Sequence, residues 1–127
     1  MATSPVFAVT PRIGAVSIAT ADSSYTAPTN VGTLITGAST GTRISEIVVK
    51  NAATSAAAIV RIFLYDGSTY WLFDEVTVSA ATGSSTVQQN RVSTPYNNLI
   101  LPSASWSVRV TTSVAQTTHV TAFGADL

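Results

Sequence analysis

Short runs of β-branched and apolar residues, separated by turn residues, recur along almost the whole chain. Val, Ile and Thr suit a pleated strand and lose side-chain freedom in a helix. The predicted strands span residues 13–20, 31–36, 42–51, 59–65, 70–78, 86–93, 98–101, 106–112 and 117–123. Only residues 51–58 fit a short helix, and an Ala-rich loop fits them as well. Short, regularly spaced strands are typical of a sandwich or barrel.

The best-defined element is a hairpin over residues 59–78, with Gly67 and Ser68 as a two-residue turn. Gly67 would supply the positive φ at the first position of a type II′ turn. In this register the cross-strand pairs are Leu64 with Trp71, Ile62 with Phe73 and Arg61 with Asp74. Both faces of the hairpin then carry bulky side chains.

One face of this hairpin should lie in the core, and it carries Val60, Ile62, Leu64, Trp71 and Phe73. The other face is either covered by a loop of the same chain or exposed as a contact patch. We predict that it forms a subunit interface, whose residues are Phe63, Tyr65, Tyr70 and Leu72.

Two other strands show a pattern that fixes their orientation. The strand beginning at Trp106 alternates cleanly, which predicts Trp106, Val108 and Val110 on the inner side. In residues 44–49 the alternation slips by one position. A β-bulge near Ser45 and Glu46 would return Ile44, Ile47 and Val49 to one side of the strand.

The N-terminal residues differ from the rest of the chain. Prolines favour extended conformations there, and several neighbouring residues are apolar. We predict an extended arm over residues 1–12, followed by a single β-sandwich domain over residues 13–127; a first edge strand or a loose tail is the alternative. The arm residues expected to contact a partner are Pro5, Val6, Phe7, Val9, Pro11 and Arg12.

Charge is sparse and balanced in this chain. Charged residues make up 9% of the sequence and apolar residues 46%, with six Lys/Arg against six Asp/Glu. Disorder requires the opposite composition, so the chain should fold. The sequence contains no run of basic residues, so we predict no binding to nucleic acid. Arg61 interrupts the best apolar stretch, so we predict no membrane span. The first residues lack signal-peptide features, and no cysteine is present to indicate a redox compartment.

One catalytic motif occurs in the sequence. Residues 37–41 match G-x-S-x-G, and Asp66 or Asp74 followed by His119 completes the chain order of a hydrolase triad. The motif requires a strand-to-helix turn, whereas a strand follows Gly41 here. We therefore predict a simple turn at Ser39, no convergence of these side chains and no enzymatic activity.

Other candidate chemistry is weak. Asp74 and Glu75 are adjacent, and adjacent side chains of a strand point to opposite faces, so they should not chelate a metal. We predict neither a metal nor a cofactor. Four aromatic residues are a possible sugar-binding platform, although buried aromatics usually belong to a core; they are Tyr70, Trp71, Tyr96 and Trp106.

Several runs of the chain resemble small β proteins encoded among the structural genes of tailed phages and prophages. These runs are residues 10–14, 60–67, 98–102, 106–109 and 122–127. They consist of strand and turn residues, and the resemblance spans nearly the whole chain from Thr10. It implies a virion protein, and the size suits a capsid decoration (cement) protein that forms trimers on the shell.

These observations together predict an all-β, jelly-roll-like antiparallel β-sandwich of about eight strands. The expected function is non-enzymatic: stabilising a phage head as a homotrimer bound to the major capsid protein. The expected location is the capsid surface, after synthesis in the host cytoplasm. The alternative is a tail or tail-fibre component with a receptor- or carbohydrate-binding β-sandwich.

Overall fold

The computed structural model describes residues 9–127, which form eight β-strands and no helix. The strands are β1 (Thr10–Ile18), β2 (Gly32–Thr36), β3 (Thr42–Asn51), β4 (Ala58–Tyr65), β5 (Tyr70–Val78), β6 (Arg91–Leu101), β7 (Ser107–Thr112) and β8 (Thr118–Asp126). Within this range no helix could cross a membrane. The prediction of an all-β fold is confirmed, and residues 51–58 are not helical.

The strands form two antiparallel sheets of four strands each. Sheet 1 has the order β1-β8-β3-β6, and sheet 2 has the order β2-β7-β4-β5. Only β4 and β5 are consecutive in the chain and paired in the same sheet. Buried residues of both sheets form one apolar cluster, which holds the sheets together because it removes a large apolar area from water.

The alternation predicted for β7 is confirmed. Val108 and Val110 are fully buried in the core, and Trp106 packs against the core just before the strand. The bulge predicted in β3 is confirmed as well, because Ser45 is an extra residue between Ile44 and Glu46 in the ladder with β8. Ile44, Ile47 and Val49 consequently all reach the core.

The hairpin turn is as predicted at its tip. Gly67 has a φ of 103°, and Leu64 lies opposite Trp71. The Asp66 carboxylate supports the turn by accepting hydrogen bonds from the backbone N–H groups of Ser68 (2.9 Å) and Thr69 (2.8 Å).

Further from the tip, the predicted register is wrong. The ladder shifts between Ile62 and Phe63, which leaves Phe73 as an extra residue in β5. Arg61 therefore lies opposite Glu75 instead of Asp74, and Ile62 lies opposite Asp74 instead of Phe73. The shift places Phe73 against Tyr96 of β6, with ring centroids 5.4 Å apart. A contact with a distant strand is thus gained at the bulge.

Replacing Gly67 with Val should lower the free energy of unfolding by about 1–3 kcal/mol, because a β-branched residue is strained at this φ. A Cβ at this position would lie 3.8 Å from the Ser105 carbonyl oxygen, so crowding adds little. Gly67→Asn is the matched control, since Asn tolerates positive φ better. Urea denaturation of both variants tests this, and equal losses would contradict a backbone origin.

The structure revises the prediction for β6. Two strands were expected, over residues 86–93 and 98–101, but one strand runs from Arg91 to Leu101. Pro95 interrupts the sequence pattern without ending the strand. It can do so because β6 is an edge strand, where a proline need not supply an N–H group to a second neighbour.

The predicted boundary between arm and domain is also revised. β1 begins at Thr10, and Pro11 lies opposite Ala125 of β8. Arg12 forms an ion pair with Asp126 at 2.9 Å, and the backbone N–H of Val9 donates to the Asp126 carbonyl. Val9, Pro11 and Arg12 are therefore part of sheet 1 or directly beside it. Pro5, Val6 and Phe7 lie outside the described residues.

Candidate interaction surfaces

The predicted interface residues occupy the outer face of sheet 2, but they are unequally accessible. Phe63 is fully buried although it lies outside the core cluster. The ring of Tyr70 meets it edge-on at 5.9 Å, and Tyr65 stacks on Tyr70 at 4.3 Å. Only Leu72 is exposed, at 40%. Phe63 therefore has no surface to offer a neighbour.

Arg109 of β7 completes this aromatic cluster. Its guanidinium carbon lies 4.1 Å from the Tyr65 ring centroid, and Nη1 donates to the Tyr70 hydroxyl at 3.1 Å. A cation over an aromatic face is attracted by the ring quadrupole. The half-buried tyrosines thus already have partners within the chain.

A loop of the same chain covers another part of this face. Tyr25, in the connection between β1 and β2, lies over the buried Arg61, with the guanidinium carbon 4.3 Å from the ring centroid. Arg61 also donates from Nη2 to the Tyr25 hydroxyl at 3.1 Å and from Nε to Glu75 at 3.0 Å. The Asp22 carboxylate fixes the loop by accepting three backbone N–H groups, those of Ser24, Thr29 and Asn30. Both alternatives for the second hairpin face thus occur together: a covered part and an exposed part.

The exposed part is the edge strand β5. On the outer face Leu72 is accessible (40%), and its neighbours Trp71 (53%) and Phe73 (41%) are accessible as well. The prediction that Trp71 and Phe73 lie in the core is therefore wrong, because both belong to an edge strand and neither joins the core cluster. Carboxylates flank them: Asp66 accepts from Trp71 Nε1 at 3.2 Å, and Asp74 follows Phe73 directly. We call these five residues, Asp66 and 71–74, the β5 patch. It combines apolar area with negative charge.

A second accessible apolar area covers the outer face of sheet 1. The register places Ile13 opposite Phe123, and these two are 66% and 39% exposed. Ala15, Thr121 and Val48 form the neighbouring row. The sequence analysis missed this surface. The alternation along β8 indicates this surface, because Val120 and Ala122 point inward and Phe123 therefore points outward.

Positive charge surrounds this apolar area. Lys50 and Arg91 are neighbours in one cross-strand row that also includes His119, and Arg43 lies towards the opposite end of β3. Among residues 9–127 the only ion pairs are Arg12–Asp126 and Arg61–Glu75, so Lys50, Arg91 and Arg43 have no carboxylate partner. The one acidic residue in these rows is Glu46, which lies opposite Phe123 and accepts a hydrogen bond from the Ser93 hydroxyl. We call the outer surface of sheet 1 the basic face.

The residues of the hydrolase motif do not meet. Ser39 is exposed in the turn just before Thr42, whereas His119 lies opposite Lys50 at the other end of β3. Eight residues of strand separate these ends, which is roughly 26 Å. Asp74 belongs to sheet 2, where it accepts the Tyr96 hydroxyl at 2.8 Å. Among the described residues there is also no cluster of three or more His, Asp or Glu side chains that could hold a metal.

The four aromatic residues proposed as a sugar platform serve different purposes. Tyr96 packs against the core, and burial together with its hydrogen bond to Asp74 raises the pKa of its hydroxyl. Trp106 also packs against the core, and Tyr70 belongs to the cluster with Phe63 and Tyr65. Trp71 alone is mainly exposed.

Acid should weaken the fold through three carboxylates. Hydrogen bonds hold the pKa of each carboxylate below its ordinary value. Asp66 accepts from Thr69 and Ser68, which lowers its pKa to about 2. Asp22 accepts from Asn30 and Ser24, and Asp126 accepts from Thr42 and Arg12. A lowered folded-state pKa stabilises the fold above the unfolded value of 3.8, and this stabilisation is lost as pH falls towards 2. The free energy of unfolding of wild type and of Asp66→Ala is measured by denaturation between pH 7 and pH 2. The difference between the two proteins should become smaller as the pH falls. A constant difference would contradict the assignment to Asp66.

Comparison with known proteins identifies no family. No protein-family model matches the sequence, and no curated protein matches it. The fold and its two accessible apolar surfaces are therefore the features that bear on function.

Proposed function

We propose that this chain is a non-enzymatic structural protein of a phage virion, a capsid decoration (cement) protein that stabilises the head as a homotrimer. Its partners are other copies of itself and the major capsid protein. The observation that carries the proposal is the pair of accessible apolar surfaces on opposite sheets, the β5 patch and the basic face. Large exposed apolar patches are characteristic of surfaces that bind other proteins.

The strand order supports a jelly roll. Successive strands alternate between the sheets except at the β4–β5 hairpin, giving β1-β8-β3-β6 facing β2-β7-β4-β5. Double-sheet jelly rolls of eight strands occur in viral capsid and lectin domains. Because one fold serves many functions, the topology favours a virion role only together with the surfaces and the resemblance.

The composition supports permanent assembly. Charged residues are 9% of the chain, and most of the carboxylates are bound by groups of the same chain. Low net charge promotes association of protein surfaces. Such a surface is favourable for a subunit that stays packed against neighbours.

Two measurements test the proposal. Light scattering coupled to size exclusion should give three times the 13.1 kDa mass of one chain. Quantitative mass spectrometry of purified virions should find the protein in fixed proportion to the major capsid protein. A monomer that is absent from virions would refute the proposal.

A tail component that binds a sugar is a second candidate, and the half-exposed Trp71 is the feature that favours it. An accessible indole whose N–H is held by Asp66 offers a flat apolar face to a sugar ring. Glycan-array binding that is lost in Trp71→Ala, together with location in tails, would favour this function over the capsid role.

A further inference from the structure

The basic face has the dimensions of a protein interface. Four strands about 4.8 Å apart and about nine residues long, at roughly 3.3 Å per residue, span a projected area on the order of 500 Å². Specific interfaces bury about 800 Å² of accessible surface per partner, and side-chain relief makes accessible area larger than projected area. The face is therefore of the right scale to bind one partner.

Its chemistry selects for a partner that is apolar and acidic. Ile13 and Phe123 supply the exposed apolar centre. The three surrounding cations, Lys50, Arg91 and Arg43, outnumber the single carboxylate of Glu46 opposite Phe123, so the face is positive overall. Two of these cations donate only to backbone carbonyls, Lys50 to Gln89 and Arg43 to Asn97. They remain free to attract a carboxylate on another chain.

The β5 patch has the complementary chemistry. It presents three adjacent apolar side chains, Trp71, Leu72 and Phe73, on an edge strand. Asp66 and Asp74 border them and give this edge its negative charge. The cations on the outer side of sheet 2, Arg61 and Arg109, are bound to Glu75 and to tyrosines.

Like surfaces would repel each other. Two basic faces brought together would oppose unpaired cations, and two β5 patches would oppose carboxylates, whereas one of each brings opposite charges together. The two surfaces share no residue, because the basic face is the outer side of sheet 1 and the β5 patch is the edge of sheet 2. A contact between unlike surfaces is heterologous, and it closes into a ring when the rotation permits.

We infer that the basic face of one copy binds the β5 patch of a second copy, and that this head-to-tail contact repeats around the oligomer. The inference rests on the homo-oligomer of the proposed function and specifies which surfaces form it. In this contact Leu72 lies in the interface, and Tyr65 and Tyr70 lie beneath or beside Leu72. Phe63 does not contact the second copy.

Two charged substitutions should each abolish the oligomer. Phe123→Glu replaces the apolar centre of the basic face with a second carboxylate beside Glu46, and Leu72→Arg places a cation in the β5 patch. Both positions are exposed, so both variants should fold. Val87→Glu is the matched control, since Val87 is 53% exposed in the connection between β5 and β6 and belongs to neither surface.

Mixing the two variants gives the decisive measurement. Each variant alone should have the mass of one chain by light scattering, whereas the control should keep the wild-type mass. In an equimolar mixture at high concentration, the intact β5 patch of Phe123→Glu can bind the intact basic face of Leu72→Arg. A complex of two chains, one of each variant, should therefore appear, and added salt should dissociate it.

The other outcomes separate this inference from the proposed function. An oligomer that persists in either variant alone, or a mixture that stays monomeric, overturns the head-to-tail contact while leaving the homo-oligomer intact. Monomeric wild-type protein overturns both the contact and the homo-oligomer. The presence of the protein in virions is measured independently of all these results.

Discussion

Replacing Phe63 with Ala should lower the free energy of unfolding by about 3–5 kcal/mol, as for other fully buried phenylalanines. Phe63 is 0% exposed although it lies on the outer side of sheet 2. Its removal would leave a cavity beneath Tyr70, whose ring contacts it edge-on, and would disturb the stacking of Tyr65 on Tyr70. Urea denaturation monitored by circular dichroism measures the loss.

Leu72→Ala is the matched control for Phe63→Ala. Leu72 pairs with Phe63 across the ladder but is 40% exposed, so its truncation should cost less than about 1 kcal/mol of stability. Light scattering should instead show weaker self-association. Similar stability losses in both variants would contradict the division of this face into a buried layer and an accessible patch.

Removing residues 2–8 should weaken attachment to capsids by about a hundredfold or more while leaving the fold stable. The proposed trimer carries three arms, and linked contacts gain affinity through effective concentration, commonly by 10²–10⁴. Each arm includes the apolar Val6 and Phe7. Co-sedimentation of the truncated protein with capsids stripped of the wild-type protein provides the measurement.

The end point of this truncation follows from the structure. A deletion of residues 2–12 would also remove the start of β1 and the Arg12–Asp126 ion pair, so it would lower stability and attachment together. The shorter deletion leaves Val9 and its hydrogen bond to Asp126 in place. Unchanged capsid binding after removal of residues 2–8 would refute a role for the arm.

The candidate surfaces were only partly predictable from the sequence. Leu72 was correctly expected on a face with Phe63, Tyr65 and Tyr70, since alternation along a strand assigns residues to faces. Alternation does not show how deeply each residue is covered. Phe63 is covered by Tyr70 of β5, and Arg61 is covered by Tyr25 of a distant loop. Both contacts depend on side chains from other parts of the chain.

Local chemistry in the sequence determined most of the strands, the hairpin turn and the bulge in β3. Gly67 permits a positive φ at low cost, and the slipped alternation at Ser45 requires an extra residue if Ile44 and Ile47 are both to be buried. Each of these features depends on residues close together in the chain. Such features can be predicted from spacing and residue type alone.

Only the tertiary structure decided the register of β4 and β5, the continuity of β6 and the identity of the accessible surfaces. The bulge at Phe73 is stabilised by contact with Tyr96, and β6 can continue through Pro95 because it is an edge strand. Both features depend on how distant strands pair. The basic face likewise exists because β1, β8, β3 and β6 become neighbours and align Ile13 with Phe123 and His119 with Lys50. Alternation places each side chain on one of two faces, whereas the packing of the sheets determines which face is buried and which remains available to a partner.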